Sequence, residues 1–177
     1  MSDTDSFIDE VNDEVRRDRF YLLLKRYGWV AILAVVLLVG GAAWNEYQKA
    51  QNRARAEALG DAMFAALAGT DAAARAEALG AVNTDSPRSV AMLAFLKAAE
   101  QSQAGDKDAA LETLNGLGAN GDVPAIYREI AQFKALTLQG TDTPAAERRL
   151  ALEALIQSSS PLRLLAQEQM ALIDIEE

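Results

Sequence analysis

The sequence predicts an all-α protein in which one N-terminal transmembrane helix precedes a series of helical hairpins. Three observations support this prediction. Residues 27–44 contain no charge, the rest of the chain is rich in alanine and leucine, and proline, glycine and aspartate recur at intervals of about one helix. The sequence contains no alternating run of β-branched residues that would indicate a strand. We divide the chain into a cytoplasmic amphipathic leader (1–26), a transmembrane helix (27–44), a helical stalk with a connecting helix (45–82) and helical repeats (83–177).

The composition narrows the chemistry that the chain can perform. Its 177 residues include no histidine and no cysteine, which removes disulfides, thiolate nucleophiles and imidazole bases. Twenty-six acidic against 17 basic residues give a net charge of −9, which argues against a surface for phosphates. We therefore predict no catalytic, cofactor or metal site, no nucleic-acid partner and no small-molecule substrate.

The uncharged segment 27–44 has the length and borders of a membrane span. At about 1.5 Å per residue it covers about 27 Å, close to the thickness of the hydrocarbon core. Aromatic rings, which favour the membrane interface, stand at both ends: Tyr27, Trp29, Trp44 and Tyr47. Two alternatives stay open, namely a cleaved signal peptide, for which Gly41 and Ala43 offer small residues at a cleavage site, and a helix inside a soluble core.

Basic residues near the span predict its orientation. Five of them precede it, Arg16, Arg17, Arg19, Lys25 and Arg26, and fewer follow it closely. We expect the N-terminus in the cytoplasm and residues 45–177 in the periplasm of a bacterium. In the leader, Phe7, Val11 and Val15 recur on one helical face, so this segment is either an interfacial helix or a docking helix for a membrane partner.

Local signals beyond the span predict the helix limits. A stalk extends to about Ala68, and either Asp71 or Thr70 can cap a second helix that extends to about Val82. Further helices are expected over 87–103 and 107–117, which form one hairpin, over 124–139 and 144–157, which form a second hairpin, and over 161–175. The hexapeptide RAEALG occurs at 55–60 and at 75–80, which indicates either a duplication or chance repetition in an alanine-rich helix.

Three of these helices can be overlaid on one another. The segment 93–98 matches 130–135 at an offset of 37, and 130–132 matches 165–167 at an offset of 35. Such periods, with a helical hairpin in each, are typical of tetratricopeptide-like solenoids, in which small residues let helices approach closely. We predict that six alanines form this packing: Ala94, Ala98, Ala110, Ala131, Ala135 and Ala166. Ala94, Lys97 and Gln101 replace bulkier consensus residues, so the repeats are degenerate.

The leader EVNDEVRRDRFYLLLKRYGW, the single span, the charged alanine-rich stalk and the degenerate repeats together resemble the bacterial YfgM-type family. RRDR and LLKRYGW are the most specific parts, and the chain resembles a short, alphaproteobacterial-like member. The resemblance implies an ancillary subunit of the SecYEG translocon in the inner membrane. Its implied partners are SecYEG and a membrane-anchored periplasmic chaperone, and its implied role is to assist the folding of exported proteins by protein binding.

A second function fits the same anchor and the same helical domain. The chain could be an accessory or assembly subunit of another inner-membrane complex, such as a respiratory or division complex. An enzyme is the least favoured class, because the sequence lacks histidine and cysteine.

Overall fold

Helices form the whole of the regular structure in the computed structural model. It describes the backbone of residues 3–157 and 160–176, and the side chains of residues 21, 25–157 and 160–176. The described elements are α1 (Asp3–Leu67), α2 (Ala72–Gly80), α3 (Pro87–Gln103), α4 (Lys107–Ala119), α5 (Ala125–Gln139), a 3₁₀ turn (Gly140–Asp142), α6 (Ala145–Gln157) and α7 (Arg163–Glu176). The predicted all-α class is therefore confirmed.

The chain divides into two compact units, Met1–Arg55 and Ala56–Glu177. The first unit contains the N-terminal part of α1, and the second contains the end of α1 and the helices that follow. One described helical stretch, Lys25–Leu67, is long and apolar enough to cross a membrane, with a mean hydropathy of 2.0 in its most apolar window. None of that window is buried in protein. The prediction of one span-length apolar helix near the N-terminus is confirmed at this level.

Side-chain caps and glycines set the limits of the shorter helices. Asp71 accepts a hydrogen bond from the Ala74 amide at 2.8 Å, and Asp106 accepts one from the Ala109 amide at 3.0 Å. Pro87 is the first residue of α3, where its missing amide hydrogen is not needed. Gly105 and Gly140 have φ values of 82° and 56°, which side-chain-bearing residues rarely adopt, and each ends a helix.

Three predicted limits differ from the structure by two residues. Helix α2 ends at Gly80 rather than near Val82. Helix α4 continues past Leu117 to Ala119, because Gly118 is buried where α4 approaches α5. A Cβ atom at Gly118 would lie 3.0 Å from Cγ of Gln132, so the missing side chain permits this contact. The last helix begins at Arg163 rather than at residue 161. The predicted break at Ser158 and Ser159 lies outside the described residues.

The described residues of the second unit form three small cores. The end of α1 packs on α2 and α3 through Ala66, Leu79 and Leu93. The largest core joins α3, α4 and α5 around three buried leucines or valines and five buried alanines. A third core joins α6 and α7 through Leu152, Ala166 and Ile173, and Phe133 and Leu136 of α5 pack against it. Alanine at the crossings lets the helix axes approach closely, which is how a unit with few large buried side chains stays compact.

The predicted pairing of α5 with α6 differs from the structure. Helix α4 packs extensively on both α3 and α5, and α6 packs extensively on α7, whereas α5 and α6 meet over only a short stretch. The small residues of α5, Ala131 and Ala135, face α4, while the larger Phe133 and Leu136 face the α6–α7 core. Because α5 and α6 meet over only a short stretch, this hairpin is open.

Candidate interaction surfaces

The apolar part of α1 is the first candidate surface, and aromatic rings mark both of its ends. Tyr27, Trp29, Trp44 and Tyr47 are each more than half exposed. Tyr27 and Tyr47 are 20 residues apart, which is about 30 Å along a helix and matches the hydrocarbon thickness of a bilayer. The rings therefore stand at the spacing that places both of them at membrane interfaces.

Each aromatic pair has polar neighbours. The Arg26 guanidinium lies 5.8 Å from the centroid of the Tyr27 ring, a cation–π distance. At the other end, the rings of Trp44 and Tyr47 are 6.2 Å apart, and the Tyr47 hydroxyl accepts a hydrogen bond from the Gln51 side chain at 3.0 Å. Both ends thus combine an apolar ring with groups that prefer water.

Of the five basic residues predicted to set the orientation, Lys25 and Arg26 are exposed on α1. The side chains of Arg16, Arg17 and Arg19 lie outside the described residues.

The six alanines predicted at helix crossings lie mostly in the cores. Ala98, Ala110, Ala131 and Ala135 are buried in the α3–α5 core, and Ala94 is half-buried against it. The overlay predicts equivalent places for Ala131 and Ala166, but the structure puts Ala166 in the separate α6–α7 core. The overlaid helices therefore each bury an alanine at the matching position, but the two alanines pack against different helices.

The open pairing of α5 and α6 creates a groove of about 430 Å³. Its floor is apolar, from Leu136, Ala151, Ala154 and Leu155, and its polar end is formed by Glu129 and Gln132. The carboxylate of Glu129 accepts a hydrogen bond from the buried Ser160 hydroxyl at 2.6 Å, which ties the start of the α7 segment to α5. No pattern in the sequence indicates this groove, because it exists only where two helices predicted to pair stay apart.

A second, more polar pocket of about 550 Å³ lies between α2, α3 and α4. Lys97 and Gln101 line it, and Gln101 accepts a hydrogen bond from the Thr113 hydroxyl at 2.8 Å. The Lys97 side chain lies against Gly80 at the C-terminal end of α2, where the helix dipole favours a positive charge. Lys97 therefore already has a structural role at this helix end.

Carboxylates are the side chains here that could hold a metal, since the sequence has no histidine or cysteine. Among the described residues, no three of them come together as possible ligands.

No known family model, curated protein or solved structure matches this chain.

Proposed function

We propose that this chain is a membrane-anchored scaffold that binds other proteins and catalyses no reaction. The exposed apolar window of α1, bordered by aromatic rings about 30 Å apart, is the observation that supports an anchor. The excess of basic residues before the span supports an N-terminus in the cytoplasm and a helical unit in the periplasm, with the inner membrane between them.

We also propose that the helical unit is a degenerate tetratricopeptide-like solenoid. The hairpin of α3 and α4, the contact between α3 and α5, and the sequence match at an offset of 37 support this relation. Its open α5–α6 pairing makes the solenoid irregular, so we expect binding at particular surfaces rather than along one continuous concave face.

The proposed complex is the SecYEG translocon together with a membrane-anchored periplasmic chaperone. The residues that support this choice are RRDR and LLKRYGW in and beside the leader, which resemble the YfgM-type family. In this role the anchor holds the helical unit close to emerging polypeptides, and protein contacts there assist the folding of exported proteins. Proximity of this kind raises the effective concentration of weakly bound partners.

Affinity purification from the native membrane tests this proposal. The tagged full-length chain is solubilised in mild detergent, and its partners are quantified by mass spectrometry. The matched control replaces residues 27–44 by an unrelated span of equal length. Enrichment of translocon subunits and a periplasmic chaperone over the control is expected. A respiratory or division complex in their place would overturn the translocon assignment in favour of an accessory subunit of that complex.

A further inference from the structure

Helix α7 is apolar on two opposite faces. Its inner face carries Ala166 and Ile173, which are buried against α6. On the opposite face, Leu164 and Ile175 are 70% and 80% exposed, and Leu165 and Leu172, each 45% exposed, lie along one edge of this face. We call this face, with Glu168 and Ala171 between its ends, the outer stripe of α7. Exposed aliphatic residues that gather on one face mark an interaction surface more often than residues scattered singly.

The spacing of the outer stripe suits a second helix. Residues 164, 168, 171 and 175 follow one another at intervals of four, three and four, the spacing of the seam in a left-handed helix pair. Leu165 and Leu172 flank this seam on one side. The stripe extends about 16 Å along the axis, or three helical turns.

The charged residues of α7 indicate which kind of helix could bind the outer stripe. Asp174 and Glu176 at the end of α7 are paired with Arg149 and Arg148 of α6, the second pair at 2.6 Å. Glu168 lies exposed in the middle of the stripe and makes no ion pair within the described part of the chain. Its charge is therefore available to a basic residue on a partner.

A second copy of this chain is the less favourable occupant. An antiparallel pairing that places Leu164 opposite Ile175 also places each Glu168 opposite Ala171. The two Glu168 carboxylates then occupy adjacent layers of one interface, and like charges held there repel. The chain as a whole also carries a charge of −9, which opposes self-association.

We propose that the outer stripe of α7 docks an amphipathic helix of another protein, with aliphatic residues at the same spacing and a lysine or arginine opposite Glu168. The apolar contacts supply affinity, and the charge pair sets the register of the two helices. This inference rests on the proposed role as a binding scaffold, but not on the identity of the membrane complex.

Site-specific photocrosslinking in native membranes tests the inference. p-Benzoylphenylalanine replaces Leu164, Leu172 or Ile175 in the full-length chain, and the exposed Asn115 of α4 serves as the control position. We expect all three stripe positions, but not the control, to crosslink to one segment of one protein. Mass spectrometry should show in that segment aliphatic residues at intervals of three and four and a central basic residue. Crosslinks to a second copy, crosslinks equal to the control, or no crosslinks would overturn the proposal.

Charge reversal provides the second measurement. Glu168→Lys should lower the crosslink yield at least tenfold, and reversal of the partner's basic residue should restore it. Helix content should not change, because Glu168 is exposed. An unchanged yield in Glu168→Lys contradicts the proposed charge pair. If translocon subunits copurify but the stripe positions do not crosslink, the proposal for the outer stripe is wrong and the translocon assignment stands. If the stripe positions crosslink but no translocon subunit copurifies, the translocon assignment is wrong and the proposal for the outer stripe stands.

Discussion

Arg75 is the side chain that ties α2 to the end of α3. Its guanidinium is 2.7 Å from the Glu100 carboxylate, and it also donates to the Gly69 carbonyl at 3.3 Å and to the Gln103 side chain at 3.2 Å. The side chains of Arg75 and Glu100 are 19% and 15% exposed. Water therefore screens this pair much less than a surface pair, and removal of one partner leaves the other desolvated.

Arg55 provides a matched control for Arg75, because the two residues begin the two copies of RAEALG. Arg55 is exposed, and the hexapeptide around it packs only through half-buried residues such as Leu59, whereas Leu79 of the second copy is buried. The same six residues are thus packed differently in the two copies, because α3 covers only the second copy. No local sequence signal distinguishes them.

We predict that Arg75→Ala lowers the free energy of unfolding by about 1.5–3 kcal/mol, the usual range for hydrogen bonds to charged groups. Arg55→Ala should change it by less than about 0.5 kcal/mol, as is usual for an exposed position. Urea unfolding of the full-length protein in mild detergent, followed by circular dichroism, measures both. Equal effects of the two substitutions would show that the Arg75 contacts add nothing to stability.

At the scale of the elements, the helix limits were predictable from the sequence because local chemistry determines them. Asp71 and Asp106 cap helices, Pro87 begins one, and Gly105 and Gly140 end two. The partners of each helix were less predictable. The open α5–α6 groove depends on which face of α5 meets α4, and the outer stripe of α7 depends on which face α6 leaves uncovered. Both are set by packing between distant residues.

The turn at Gly140 directs the chain from α5 into α6, and its backbone (φ 56°, ψ −134°) suits glycine alone. Gly140→Ala is expected to destabilise the helical unit by about 1–2 kcal/mol through strain, since no atom lies close enough to clash. In contrast, Gly116→Ala, in the exposed middle of α4, should stabilise it by about 0.5–1 kcal/mol. Thermal unfolding of the full-length protein compares them, and a stabilised Gly140→Ala variant contradicts the turn geometry.

The span can be tested as an element by placing a charge at two depths. Val36 lies near the middle of the segment 27–44, and Tyr47 lies at its border. Val36→Asp should cost about 2.5–3.5 kcal/mol of insertion free energy, whereas Tyr47→Asp should cost far less, because water reaches the interface. The fraction of each variant that resists alkaline extraction of the membranes measures the difference. Equal retention would argue that this segment of α1 does not cross the bilayer.

For the molecule as a whole, an apolar helical segment and an alanine-cored helical unit occur in one chain, and the boundary between the two units falls between Arg55 and Ala56. The apolar side chains of the segment 27–44 in the first unit are exposed, so this segment needs a lipid or protein environment. In its described residues, the second unit buries part of its larger aliphatic side chains in three cores and leaves others exposed, among them the stripe on α7. The proposed membrane-held scaffold needs both features, an apolar helix that can face lipid and an exposed apolar surface that can bind a protein.

We predict that the chain crosses the membrane with its N-terminus in the cytoplasm. Because the sequence contains no cysteine, single introduced cysteines can measure this orientation directly. Single cysteines are introduced by Ser6→Cys in the leader and by Ser102→Cys at an exposed position of α3. In spheroplasts, a membrane-impermeant maleimide should label the variant Ser102→Cys and reach Ser6→Cys only after lysis, because basic residues before the span stay in the cytoplasm. Exchange of Lys25 and Arg26 for glutamine, with two lysines added after Trp44, should invert part of the population. Labelling of both positions before lysis excludes a single N-in orientation.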